Sequence, residues 1–214
     1  MTKKGSNAEN KQATQSALLE AGVDLLTVPG VQIHELTAVN VTHRASEVGD
    51  SPYTIGDFHY KWDWQNDYRA ALAAYVFGAE HDIDISAVTE EALAFRAMKA
   101  PQGEVKGVWS ERLLGMVTSD RMFRPRQVIR NNIEAWPVVP PIDSAASLVQ
   151  GYDRRLGGLV ASSLGDVFGA EARPFLPEAQ VLVCVAEDMA VRVAREQITT
   201  ELAQSALSRL IPSV

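Results

Sequence analysis

Apolar residues in this chain recur at the three- and four-residue spacing of an α-helix, and no stretch alternates convincingly as a strand would. From about Lys11, Leu18, Ala21 and Leu25 fall with Gly22 on one buried stripe, which Val28-Pro29-Gly30 stops. "VQIHEL", residues 31–36, is the nearest candidate for a strand. Further helical pieces are predicted over about 86–99, 104–118 and 125–136, separated by "APQG", "TSDRMFRP" and "PVVPPID". Pro137, Pro140 and Pro141 make the last of these breaks firm. Two long segments, 143–169 and 177–210, finish the chain, and no internal repeat or low-complexity tract interrupts the pattern. The expected class is all-α.

With 214 residues, 46% of them hydrophobic and 22% charged, the chain can bury the core of one large domain or of a small domain joined to a larger one. The net charge of −7 gives no whole-chain electrostatic case for nucleic acid. A single cysteine, Cys184, excludes an intramolecular disulfide and a cysteine-based zinc cluster. In "VLVCVAE" it reads as a small buried helical residue. No run approaches the roughly 18 apolar residues of a membrane span. The N-terminal "MTKKGSNAENKQATQ" lacks the apolar stretch of a signal peptide, so a cytoplasmic protein is expected.

Residues 37–62 carry the strongest local punctuation. Thr37 is placed to cap a helix whose apolar edge is Val41, Ala45 and Val48, and Gly49 stands where a positive φ would end it. Ser51-Pro52 has the chemistry to open the next helix. There Ile55, Phe58 and Trp62 would face the core, leaving Tyr53, Thr54, Asp57 and Lys61 around the other side. A longer helix follows over 64–78, with Tyr68, Leu72 and Tyr75 or Val76 inward and Gly78 at its end.

Three short helices, the middle pair joined by a glycine-containing turn, then a longer helix and a larger helical body: this organisation resembles the tetracycline-repressor (TetR) family of transcriptional regulators. The motif match lies within 13–72. It comprises "ALLEAGVDLLTVPG", then "TAVNVTHRA" against the family's Thr-x-x-x-Ile/Val-Ala-x-x-Ala with Thr42 in place of alanine, then Gly49 and Ser51 of "GDSPYT" as the Gly-x-Ser turn. The chain departs from the pattern where "SEV" stretches the Ala-Gly junction, and where Gly56 takes the place of a signature tyrosine. The resemblance implies a helix-turn-helix head over 1–64 and an effector-binding and dimerisation domain over 65–214. It also implies a homodimer that reads a palindromic operator in double-stranded DNA and releases it when a small apolar effector binds. By motif position, Thr37 would touch phosphate, and Ser51, Pro52, Tyr53 and Thr54 would form the recognition-helix entrance. His59, Tyr60 and Lys61 would lie near backbone or bases, with Arg44 and His43 on the preceding helix.

The charge of the head opposes that role. Through residue 77 there are six lysines and arginines against nine carboxylates, a net of −3, whereas phosphate neutralisation supplies most non-specific affinity. Lys3, Lys4 and Lys11 could form a basic arm, and Asp57 could accept from a cytosine amino group although phosphates would repel it. Two readings follow: a regulator with weak, salt-sensitive binding or a narrow operator, or an all-α ligand-binding or scaffold protein that does not bind DNA.

Other sites read as structural. His81, Asp82 and Asp84 in "EHDID" have metal-ligand chemistry without supporting residues, so a hydrated loop and helix cap is expected, with a helical metallohydrolase a distant third reading. His34-Glu35 is no HExxH motif, because position 38 is alanine. "RLGGLVASSLGDVFG" lacks a phosphate-loop lysine and a nucleophile elbow, and close helix packing accounts for its glycines. Neither catalysis, a cofactor nor a metal is expected. Phe95, Met98, Trp109 and Met116 could line an apolar effector pocket with Met122, Phe123, Trp136 and Tyr152, the two indoles leading because each N–H wants a partner. The small residues of 143–169 and 177–210 suit a twofold dimer interface, as the resemblance also implies.

Overall fold

The computed structural model describes residues 7–49 and 51–211, and among them the chain is all-α. The helices are α1 (Asn7–Thr27), α2 (Ala38–Val48), α3 (Ile55–His59), α4 (Gln65–Val76) and α5 (Ser86–Ala97), then α6 (Gln102–Ser119), α7 (Phe123–Asn131), α8 (Ala145–Phe168), α9 (Leu176–Ala194) and α10 (Thr200–Leu210). None of the described helices is long and apolar enough to cross a membrane. Lys3, Lys4 and Asp50 lie outside the described residues. The chain forms two compact units, Met1–His81 with Arg124–Val149, and Asp82–Phe123 with Gln150–Val214. The first unit therefore runs past residue 64 and takes in α4 and most of α7.

In the first unit α1 buries Leu18, Ala21, Val23 and Leu26, and Gly30, at φ 88°, turns the chain after it. "VQIHEL" is not a strand. Glu35 folds back to accept from the Gln32 N–H at 2.6 Å, closing a 3-10 turn over Ile33–Glu35, while Gln65 holds the Leu36 carbonyl at 2.6 Å. Tyr68, Leu72 and Val76 face inward on α4 as their spacing predicts. The Tyr68 hydroxyl donates to the Leu18 carbonyl at 2.9 Å, and burial pushes its pKa far above the ordinary value. Gly22 makes the room. A Cβ there would sit 2.1 Å from the Tyr68 hydroxyl oxygen and 2.9 Å from Leu72.

Arg126 of α7 is buried with its guanidinium on the end of α4. Its Nε donates to the Val76 carbonyl at 3.3 Å, and Nη2 donates to the His81 carbonyl. A fixed cation there meets the unpaired carbonyls and the negative end of the helix dipole.

The second unit packs α6 against α5, α9 and α10. Its buried polar groups are paired, as they must be in a core. The Trp109 indole donates to Ser163 Oγ at 2.9 Å, and the Thr89 and Ser163 hydroxyls share a bond at 2.6 Å. Lys106 is buried with its ammonium on the Ile211 carbonyl, and Arg96 reaches the Val167 carbonyl. Asp82 accepts two bonds from Arg155, at 2.7 and 2.9 Å, and Asp84 caps α5 through the Ser86 N–H, so the "EHDID" loop is structural. No group of three metal-ligating side chains occurs among the described residues.

Three expectations are corrected here. The segment 177–210 is two helices, turned at Glu196, whose φ is 56°. Cys184 is exposed, because Leu182, Val183 and Ala186 define the inward stripe of α9 and position 184 rotates away from it. Close packing does not explain Gly158, since a Cβ there would meet nothing within 4 Å.

Gly22→Ala is expected to destabilise the protein by about 2 kcal/mol through overpacking. Tyr68→Phe removes the clashing oxygen, so the double variant should melt above Gly22→Ala alone, a coupling that thermal denaturation of the four proteins measures.

Candidate nucleic-acid interface

The interface expected on the second and third helices is built on two buried rings. Phe58 and Trp62 lie with their centroids each 4.9 Å from that of Tyr68, so the segment carrying α3 is clamped onto α4. Ile55, expected beside them, is 46% exposed instead.

The helix does not open at Ser51-Pro52. It begins at Ile55 with Thr54 as its N-cap, because Thr54 and Asp57 form a reciprocal capping box that wins over the serine. Thr54 Oγ1 accepts from the Asp57 N–H at 3.2 Å, and Asp57 Oδ2 accepts from the Thr54 N–H at 2.8 Å and the Thr54 hydroxyl at 2.7 Å. These bonds to the charged form hold the Asp57 carboxyl below its ordinary value of 3.8. The carboxylate is therefore turned back onto its own helix. Ser51 and Pro52 are exposed and precede the helix, while Tyr53 is half-buried with its N–H on Ser46 Oγ at 2.7 Å.

Gly49 does not have the positive φ expected of it. Its backbone is extended, at φ −97° and ψ 165°, and a Cβ would crowd the Ala45 carbonyl at 2.8 Å. The "SEV" stretch forms the last residues of α2 and supplies Ser46, which also donates to the Thr42 carbonyl and so pins the turn. Thr37 caps α2 as expected, accepting from the Asn40 N–H at 3.2 Å.

Of the expected basic contacts, Arg44 is compensated by Asp24 at 3.7 Å and Glu47 at 3.3 Å, and His43 also lies 3.3 Å from Glu47. Two lysines meet instead at an aromatic ring. Lys11 Nζ of α1 lies 5.0 Å from the centre of the Tyr60 ring and Lys61 Nζ lies 6.0 Å from it, with Tyr60 61% exposed and His59 exposed beside it. Both distances are within cation–π reach. Trp64, 74% exposed, was not singled out by sequence reasoning; its place just before α4, outside any apolar stripe, was the available signal.

The large residues expected to line a pocket do not form one set. Trp109 and Tyr152 are filled core of the second unit, and Met122 is buried. Met98 is 68% exposed beyond the end of α5, while Phe95 and Phe123 are half-buried. Trp136 is buried in the first unit, and its indole N–H has no partner among the described residues. Of these residues only Met116 borders the surface cleft of about 500 Å³ in the second unit.

Thr54→Ala should cost about 1 kcal/mol as a lost cap. The stability lost in Asp57→Asn should be full above pH 3.8 and shrink as pH falls through the lowered folded value, which paired thermal melts across the acid range would show. No protein-family model matches this chain, and no curated protein matches it in sequence.

Proposed function

We propose that the protein is an effector-responsive, DNA-binding transcriptional regulator, a repressor that works as a homodimer. The observation that carries the reading is the meeting of Lys11 and Lys61 at the exposed Tyr60 ring, on a segment clamped from behind by Phe58 and Trp62. Two lysines and an aromatic hydroxyl can hold phosphate while the adjacent short helix, with exposed Ile55 and His59, meets the groove. The Thr54 hydroxyl serves the cap first, so Tyr60, Lys61 and His59 carry more of the contact than the helix entrance does.

Dimerisation through segments 143–169 and 177–210 is supported by apolar side chains left outward on the second unit. These are Leu159 on α8, Val181 on α9, and Leu202 and Leu210 on α10. Val181→Lys combined with Leu202→Lys should yield a monomer in sedimentation, with an unchanged helical signal.

A second reading, an all-α ligand-binding or scaffold protein that leaves DNA alone, is favoured by the compensation of Arg44 and His43 within an acidic head. A mobility shift on the region upstream of its own gene, at two salt concentrations, separates the two. The regulator gives a specific complex, and loss of Lys11 or Lys61 should each lower the salt slope by about 1. Absence of a complex at low salt favours the second reading, and equal binding to random DNA overturns the operator-reading regulator.

A further inference from the structure

The second unit leaves a cleft of about 500 Å³ where α5, α6, α9 and α10 meet. That volume is in the range that holds a small molecule. Its apolar floor is Val88 and Leu114, both almost fully buried, extended by Met116 and Val193. One wall is a fork in which Arg112 Nε and Nη2 each lie 2.6 Å from a Glu91 carboxylate oxygen, tying α6 to α5. On the far side, the turn at Glu196 sets Thr200 and Gln204 of α10 along the cleft as neutral hydrogen-bonding groups.

Two features say what would fill this space. First, Gly115 of α6 lines the cleft, and a Cβ placed on it meets nothing within 4 Å. The bare backbone at this position leaves that part of the cleft open, where any longer side chain would project into it. Second, the charges do not balance. The lining carries two carboxylates, Glu91 and Glu111, against one guanidinium, Arg112, which forks Glu91 and also attracts the adjacent Glu111, so the cleft keeps a net charge of −1.

We infer that this cleft is a binding site for a small amphipathic amine, its apolar body over Val88, Leu114 and Met116 and its ammonium toward Glu111. The filled aromatic core around Trp109 is not the ligand site. The inference gives the effector of the regulator reading a place and a charge, and it rests on that reading only for the consequence at DNA.

The test is a fluorescence titration of the DNA-free full-length protein with dansylcadaverine, a primary alkylamine that carries a dansyl ring system, against dansylamide, the same ring system without the ammonium. Dansylcadaverine should saturate at one per chain and bind about tenfold more tightly than dansylamide. Gly115→Trp should weaken it by about tenfold or more, whereas Gly103→Trp, on the same helix with an equally open Cβ but outside the cleft, should not. Glu111→Gln should erase the preference for the amine. Should Gly115→Trp melt early, Gly115→Leu takes its place. Non-saturable binding, full affinity in the filled variants, or an amine preference that survives Glu111→Gln overturns the inference. Because no DNA is present, a failed mobility shift leaves this result standing, and a failed titration leaves the DNA reading standing.

Discussion

The first unit depends on a hydroxyl placed against a helix backbone where a side chain has been left out. The bond from Tyr68 to the Leu18 carbonyl needs the space at Gly22, and the Tyr68 ring is in turn the surface on which Phe58 and Trp62 rest. One contact thus sets the approach of α4 to α1 and the position of the segment carrying α3. Removing water from the phenol is costly unless its proton is donated, so the geometry is constrained by polarity as well as by shape.

The second unit solves a similar problem with a network instead of a single bond. Trp109, Thr89 and Ser163 satisfy one another at its centre, and Lys106 and Arg96 end on backbone carbonyls. Such an interior is already occupied and paired. The space that remains open lies at its surface, where Gly115 thins a helix and the break after α9 lets α10 turn back.

Helical periodicity made most of the elements legible, because α4, α5, α6 and α8 each bury a stripe that the residue spacing already displays. Phe58 and Trp62 were legible for the same reason. The start of α3 was not, because Ser51-Pro52 and Thr54-x-x-Asp57 are both good initiation signals and only the fold of the preceding turn, held by Ser46, decides between them. Trp109 and Tyr152 looked like pocket material because bulk and polarity at the indole are the same in a core as in a cavity. The cleft, by contrast, is marked in sequence by nothing larger than a glycine. The meeting of Lys11 with Tyr60 joins residues far apart in the chain, beyond the reach of local spacing.

Arg126 has a consequence for what the first unit can be. Its guanidinium ends on the carbonyls of Val76 and His81, yet it enters from a stretch of chain that follows the whole of α5 and α6. A fragment cut after residue 81 would keep α1 through α4 and lose the cation that terminates α4, leaving two carbonyls newly exposed and the negative helix end uncompensated. The first unit is therefore not one continuous stretch of chain. The end of α4 is closed by a later part of the same polypeptide.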